Sequence, residues 1–304
     1  MQAVLIQLIV SGIAMGFVYA LVAIEYTLIY NACGLLNFAH DKIITLGGYF
    51  FVGTYLMKLN LPHIPAVISA VFTLAAFGVI IAFIIFIPLR NKSRLVAIVA
   101  TIMLGQSIHE IAPVIWGGSA LNPMTFISGT TQVLGATVAT AYIYIIAASI
   151  ILLLVLQYIL KCTRLGKAMT CVALNKTAAS LMGINITTNM AITIAISFSI
   201  CCILGVLVSP IFTVTQTMAS MVSLKGFAAG VIGGFGNLPA VILGGLLLAI
   251  SENMICLVLP SVFKDVVAFV LMIAFMLFFP NGIAGIKDSV HKRRVRKSME
   301  AKYE

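Results

Sequence analysis

The sequence predicts an all-α protein, a polytopic transmembrane bundle of about 8–9 spans with broken or re-entrant segments. Composition is the first observation behind this prediction. Of the 304 residues, 62% are hydrophobic and only 9% are charged, and the mean hydropathy is +1.17. Soluble domains carry about 25% charged residues because water must hydrate their surface. The surface of this chain is therefore expected to face mainly lipid.

The second observation is a series of apolar runs that are long enough to cross a bilayer. A spanning helix needs about 20 predominantly apolar residues. Such runs cover residues 4–30, 43–59, 64–88, 95–116, 138–160, 190–212, 238–259 and 262–280. The first run is too long for a signal peptide and has no basic segment before it, so we predict a retained span.

The third observation is the position of the basic residues. Most of the 18 lie next to the ends of apolar runs, in three clusters: Arg90, Lys92 and Arg94; Lys161, Arg164, Lys167 and Lys176; and Lys287, Lys292, Arg293, Arg294, Arg296, Lys297 and Lys302. Loops rich in lysine and arginine stay in the cytoplasm. This places segment 161–189 and a basic tail, 286–304, in the cytoplasm, where the tail can contact anionic lipid. The net charge of +10 thus indicates membrane orientation and not nucleic-acid binding.

Two segments interrupt the apolar pattern, one in each half of the chain. The first, LLNFAHDKIITLGGY (35–49), places Asn37, His40 and two charged residues before a Gly47-Gly48 pair. We expect the helix to break here, near a cytoplasmic gate. Non-helical backbone at membrane depth is tolerated only beside protein or a water-filled cavity.

The second interrupted segment is TVTQTMASMVSLKGFAAGVIGGFGN (213–237). It must also cross the membrane if the loops on either side of it lie on their predicted sides. It contains Lys225 and several glycines, which make it a poor helix and predict a broken or re-entrant segment. Paired interruptions in two halves of a chain indicate a transport pathway. The alternative is a kinked structural helix and an ordinary polar loop.

Segment 161–189 has the pattern of a cytoplasmic hairpin with a short helix. Asn175 is a suitable N-cap, Gly183 a suitable left-handed stop, and KTAASLM lies between them. Two helical turns are not stable alone, so this helix needs a partner surface. It is either a docking helix for a cytoplasmic subunit or a connecting helix at the lipid headgroups.

No sequence motif of a catalytic site is present. The phosphate-binding pattern GxxxxGK[ST] does not occur, so any ATPase must be a separate chain. HExxH and GxSxG are also missing, and the six cysteines lack the spacing of a metal site. We predict no metal site and regard the cysteines as packing residues.

The acidic residues Glu25, Glu110 and Glu252 fall inside predicted spans. A charge at the bilayer centre costs roughly 2.5–3.5 kcal/mol on insertion scales, so each side chain should face the bundle interior or a cavity. They either line a substrate pathway or form hydrogen bonds between helices.

Four blocks carry a family resemblance: YNACGLLNFAHDKIITLGGY (30–49), TRLGKAM with ALNKTAASLMGIN (163–185), SLKGFAAGVIGGFGNLPAVILGG (223–245) and FKDVVAFVLMIAFMLFFPNGI (263–283). In this order they resemble the permeases of branched-chain amino acid ABC importers, of the LivH type. The resemblance covers most of the chain. It implies a non-catalytic, pore-forming permease of the bacterial inner membrane.

The resemblance also implies partners and site residues. The partners are a second homologous permease, two cytoplasmic ATPases that bind ATP and magnesium, and an extracytoplasmic solute-binding protein; this chain itself needs no cofactor. By position, the translocation pathway includes Asn37, Phe38, His40, Glu25, Gly226, Gly233, Gly234 and Glu252. The segment that couples to the ATPase includes Asn175, Lys176, Ala178, Ala179, Leu181, Met182 and Gly183.

This sequence departs from the family pattern at three positions. Asp41 stands where the family usually has glycine, Glu25 where a small residue is usual, and Asn175 where an acidic residue is frequent. Other readings therefore stay open. They are a permease of the same family for urea or short-chain amides, a stand-alone secondary transporter or channel, and a polytopic membrane enzyme, although no convergent set of catalytic groups supports the last.

Overall fold

The computed structural model describes residues 2–285, apart from residues 35, 91, 123–126, 128, 134, 280, 281 and 284. Its α-helices are α1 (Gln2–Cys33), α2 (His40–Gly48), α3 (His63–Ile81), α4 (Ile87–Leu89), α5 (Arg94–Trp116), α6 (Thr140–Cys162), α7 (Arg164–Leu174), α8 (Lys176–Leu181), α9 (Ile186–Val208), α10 (Ser220–Gly233), α11 (Leu238–Met254) and α12 (Lys264–Phe278). The predicted basic tail, 286–304, lies outside the described residues.

The prediction of a polytopic all-α bundle is confirmed. Six described helices are long and apolar enough to cross a membrane: Gln2–Cys33, His63–Leu89, Leu95–Trp116, Thr140–Cys162, Ile186–Val208 and Leu238–Leu257. The predicted span at 43–59 lies in α2 and in the π-helix Tyr49–Lys58 that continues it. The last predicted span corresponds to α12, which has 15 residues.

Helix α9 lies at the centre of the bundle, where it packs against α1, α2 and α3. Its contact with α2 is unusually close. A Cβ atom at Gly47 would lie 2.7 Å from the Cα atom of Cys202, and one at Gly205 would lie 2.4 Å from the carbonyl oxygen of Ile44. The glycines therefore allow two helices to touch backbone to backbone.

This contact corrects the expectation that Gly47-Gly48 belongs to the helix break. The helix runs through both glycines. The break lies earlier, where Gly34 leaves α1 with a φ of 75° and α2 begins at His40. The predicted break at the NFAHDK segment is confirmed, but the glycine pair serves helix packing.

The segment 213–237 also differs from the prediction of a poor helix. It contains a regular helix, α10, of 14 residues, preceded by a non-helical stretch from residue 209 to residue 219. Glycine is required here by close packing, since a Cβ atom at Gly226 would lie 2.1 Å from Cγ1 of Val22 on α1. The segment thus consists of a non-helical stretch followed by one short, regular helix that packs against α1.

A small β-hairpin, which the sequence analysis did not predict, precedes α6. Strand β1 (Thr130–Val133) pairs antiparallel with β2 (Ala136–Ala139), with Thr130 opposite Ala139. Nearby, Leu121 pairs with Val214 through two backbone hydrogen bonds of 3.0 Å. This bridge joins the loop after α5 to the stretch before α10, so it helps to position α10.

Candidate translocation site

A buried polar cluster lies where α1, α2, α9 and α10 meet. The carboxylate of Glu25 on α1 contacts Nε2 of His40, the first residue of α2, and both side chains are completely buried. The hydroxyl of Ser197 on α9 donates a hydrogen bond to Oε1 of Glu25. Two predicted pathway residues, Glu25 and His40, are thus in direct contact although 15 positions separate them in the chain.

Helix α10 holds the imidazole of His40 from the other side. The hydroxyl of Ser223 lies 3.2 Å from Nδ1 of His40 and 3.1 Å from the Tyr26 hydroxyl. The Tyr26 ring stacks on the imidazole with a centroid distance of 4.4 Å. Because both ring nitrogens and one ring face are engaged, the orientation of His40 is fixed.

The remaining residues of the NFAH block have different environments. Asn37 is buried, and its Oδ1 accepts the Ala39 N–H at 3.0 Å, which shapes the turn into α2. Phe38 is 43% exposed, and its N–H donates to Thr101 on α5. Of the block, His40 joins the buried cluster, Asn37 supports the turn and Phe38 faces outward.

A partly exposed pair of charges lies at the start of α10. Oδ2 of Asp41 accepts a hydrogen bond of 3.0 Å from the hydroxyl of Ser220, the first residue of α10. The amine of Lys42 lies 3.0 Å from the same carboxylate oxygen. A helix N-terminus carries partial positive charge, which favours an anion there. Asp41 supplies that anion within the chain itself.

A second buried cluster lies around Lys225, two residues after Ser223 on α10. The amine of Lys225 is 2.6 Å from Oε1 of Glu252 on α11 and 2.6 Å from Oδ1 of Asp265 on α12. The Tyr19 hydroxyl donates to Oε2 of Glu252 at 3.3 Å. This cluster therefore joins α1, α10, α11 and α12, and it is separate from the cluster of Glu25.

The three predicted pathway glycines determine how α10 packs and ends. Gly226 allows α10 to approach α1. A Cβ atom at Gly233 would lie 2.5 Å from Cα of Val241 on α11. Gly234 has a φ of 88° and ends the helix by donating its N–H to the carbonyl of Gly230 at 2.9 Å.

The predicted coupling segment forms α7, α8 and the turn after them. Oδ1 of Asn175 accepts the Ala178 N–H at 3.0 Å, and Gly183 has a φ of 83°, so the predicted cap and left-handed stop are confirmed. Ala179 packs inward, whereas Ala178, Leu181 and Met182 are exposed.

Lys176 connects this segment to the bundle. Its amine donates a hydrogen bond of 2.8 Å to the carbonyl oxygen of Cys33, the last residue of α1. A cation at a helix C-terminus is favourable because the last carbonyls carry partial negative charge. Lys176 therefore connects the start of α8 to the end of α1, next to the break before α2.

A cavity of about 240 Å³ lies beside this segment, and it is a feature that sequence reasoning missed. Its wall includes Thr27 and Asn31 on α1, Lys161 on α6, Thr170 on α7 and Thr193 on α9. None of the predicted pathway residues lines it. In this conformation the predicted pathway residues form two separate buried clusters with Phe38 outside both, and this cavity lies next to the coupling segment.

Sequence reasoning also missed the partners of Glu25 and Glu252. Ser197 and Ser223 are ordinary residues in apolar helices, so nothing in the sequence distinguishes them. Lys225 did carry a signal, because Lys225 and Glu252 are the only charged residues between positions 190 and 260. Two opposite charges that stand alone in a long apolar stretch are expected to pair.

Comparisons with known proteins match nearly the whole chain. Residues 8–276 match the family described as branched-chain amino acid transport system, permease component. The high-affinity branched-chain amino acid transport permease BraD of Pseudomonas aeruginosa is 32% identical over 298 residues, which cover 92% of this chain and 95% of that protein. LivH of Salmonella typhimurium is 30% identical with the same coverage, and a probable LivH of Methanocaldococcus jannaschii is 25% identical. No solved structure matches this chain.

Proposed function

This chain belongs to the branched-chain amino acid transport permease family, and from that premise we propose that it is the membrane-spanning permease subunit of an ABC importer. Its cargo is branched-chain or closely related amino acids. The chain is a transport subunit and not an enzyme, and separate ATPase chains supply the energy.

The main support for the proposal is the short length of helix α10 and the irregular backbone at its ends. Its 14 residues extend about 21 Å, so it is too short to cross a hydrocarbon core of about 30 Å. Irregular backbone precedes it and left-handed glycine ends it. Discontinuous helices of this kind surround the substrate path of many transporters, because half-helix ends offer unpaired backbone groups to a polar solute.

The polar contacts of α10 support a role in a moving pathway. Along one turn and a half, Ser220, Ser223 and Lys225 each bind a charged or titratable side chain of another helix. The positive end of the α10 dipole also suits the carboxylate of an amino acid. A small displacement of α10 would exchange these internal partners for substrate or water.

The coupling segment supports the dependence on a cytoplasmic ATPase. Leu181 and Met182 are each 83% exposed beside a short helix that cannot be stable alone. We place this surface against an ATPase subunit, with the link from Lys176 to α1 carrying the motion to the pathway. The assembly we propose contains a second homologous permease, two ATPases and a solute-binding protein, in the inner membrane, with the C-terminus in the cytoplasm.

The first test measures transport in proteoliposomes that contain the chain with its partner permease and two ATPases. With binding protein and labelled leucine outside, we expect uptake that requires ATP on the ATPase side. Uptake without ATP would contradict an ABC importer and indicate a secondary transporter or channel. Transport of urea in place of leucine would assign the chain to amide transport within the same family.

The second test examines the coupling surface with Ala178→Arg. A charged side chain at this exposed position of α8 should prevent docking, so we expect the ATPases to be lost during purification and uptake to fall at least tenfold. Thr137→Arg is the matched control, since Thr137 is exposed on β2, before the other end of α6. Equal ATPase recovery in both variants would contradict the assignment of α8.

A further inference from the structure

We propose that Glu25, His40 and Cys201 form a binding site for a divalent transition metal ion of the zinc class. The three residues lie on α1, α2 and α9, and all three are buried. The inference does not depend on the transported substrate, and it concerns a site that the spacing of the cysteines in the sequence did not predict.

The donor atoms have the chemistry and spacing that such an ion needs. The carboxylate oxygen, the imidazole nitrogen and the thiol sulfur all lie within 4.8 Å of one another. Donors bound to one tetrahedral zinc ion lie about 3.3–3.8 Å apart, as bond lengths of 2.0–2.3 Å require. To admit an ion, His40 and Glu25, which are in direct contact, must move apart, and the Cys201 thiol must approach both. A thiolate and an imidazole select zinc-class ions over magnesium or calcium, which prefer oxygen ligands.

The electrostatics of the pair also require a positive charge. Nε2 of His40 is in direct contact with Oε2 of Glu25, and neither atom has another polar partner among the described residues. If the imidazole is neutral and donates from Nδ1 to Ser223, it presents a lone pair at Nε2. Two acceptors then face each other, and they need a cation between them. A proton could also fill this role, so the proposal of a metal ion depends on the third donor, Cys201.

The presence of Cys201 favours a metal ion over a proton between Glu25 and His40. Its sulfur completes a set of three donors, and on metal binding the thiol releases its proton. A dipositive ion then balances one carboxylate and one thiolate, so the complex is neutral. Neutrality matters because an uncompensated charge inside a membrane bundle is costly.

The surrounding groups resemble the support that a metal-bound histidine needs. Ligand histidines usually engage their second ring nitrogen in a hydrogen bond that fixes the ring. Here Ser223 lies 3.2 Å from Nδ1 and the Tyr26 ring stacks on the imidazole. Ser197 bonds the other oxygen of Glu25. A bound ion would clamp α1, α2 and α9 across the break between α1 and α2.

The test measures metal in the full-length chain, expressed in zinc-supplemented medium, purified in mild detergent and washed with a chelator. We expect about one zinc ion per chain, retained because the site is buried. Expression with cobalt should give visible absorption bands and a sulfur-to-cobalt band in the near ultraviolet. A chain with neither zinc nor cobalt would overturn the proposal and leave a proton between Glu25 and His40.

The variants Cys201→Ser and Cys202→Ser make a matched pair, since both cysteines are buried and adjacent on α9. Cys201→Ser should abolish the sulfur-to-cobalt band, and Cys202→Ser should retain it. A band that survives in Cys201→Ser would overturn the site. If Cys201→Ser does not fold, Glu25→Gln should still lower the metal content of the folded chain at least tenfold; unchanged content would overturn the proposal.

Discussion

Lys225 forms the most buried lysine ion pair in the described part of the chain. Its side chain and that of Glu252 are each 7% exposed, whereas Asp265 is 47% exposed. Asp265 therefore reaches the surface of the bundle, whereas Glu252 does not. The stability of this cluster depends mainly on the contact between Lys225 and Glu252.

We predict that Lys225→Met lowers the free energy of unfolding by about 3 kcal/mol, because it leaves the Glu252 carboxylate buried without a partner. The double variant Lys225→Met with Glu252→Gln should recover part of this loss, since the glutamine carries no charge. The measurement is unfolding in detergent, followed by the fluorescence of Trp116, the one tryptophan of the chain.

The control for this prediction is Lys167→Met, which removes an exposed lysine of α7. Surface substitutions of this kind usually change stability by less than about 0.5 kcal/mol. The ion-pair explanation is wrong if the double variant is as unstable as Lys225→Met alone.

At the scale of elements, the contact between α2 and α9 explains the dense packing around the buried polar cluster. Without a hydrophobic driving force between helices in lipid, small residues favour association because they allow close backbone approach. Gly47 and Gly205 provide this contact, and it places Cys201 of α9 near Glu25 and His40. The same packing that joins the helices therefore assembles the polar cluster.

We predict that Gly205→Val separates α2 from α9 and destabilises the fold. A Cβ atom at Gly205 would lie only 2.4 Å from a carbonyl oxygen and 2.7 Å from the backbone nitrogen of Gly48. Overpacking of a dense interior costs about 1–3 kcal/mol. The measurements are the yield of monodisperse protein and the melting temperature.

Gly118→Val serves as the comparison, because nothing lies within 4 Å of a Cβ atom at Gly118. It should behave like the unmodified chain. Equal melting temperatures for Gly205→Val and Gly118→Val would show that α2 and α9 do not need backbone contact.

At the scale of the whole molecule, the hairpin of β1 and β2 and the segment of α7 and α8 lie at opposite ends of α6. The positions of the basic residues predict that the α7–α8 end faces the cytoplasm. Apolar side chains on α3, α5, α6 and α12 are widely exposed between these ends, among them Phe72, Val114, Leu154 and Leu277. Lipid or a second permease must cover this surface.

We predict that the α7–α8 end faces the cytoplasm and the β-hairpin faces outward. The test labels single cysteines in spheroplasts with a maleimide that cannot cross the membrane. A chain that retains only Cys171, which is exposed on α7, should react only after permeabilisation. A cysteine-free chain with Thr137→Cys should react in intact spheroplasts. The opposite pattern would invert the topology and move α8 away from any cytoplasmic ATPase.

The sequence by itself determined the class of the protein, most spans, the break before α2, the capped helix α8 and the family. Each of these depends on composition or on residues that are neighbours in the chain. Whether a residue faces lipid or water, and which backbone conformation it prefers, can be read from the residue type at that position and its neighbours in the chain.

Only the tertiary structure decided which residues meet. Glu25, His40, Cys201 and Ser223 come from four helices, and Lys225 reaches Glu252 and Asp265 across two others. It also showed that Gly47 and Gly48 continue a helix and that Gly226 lies inside one. The physical reason is that the choice of partner depends on how helices pack, and a glycine that permits close packing has the same local signal as one that ends a helix.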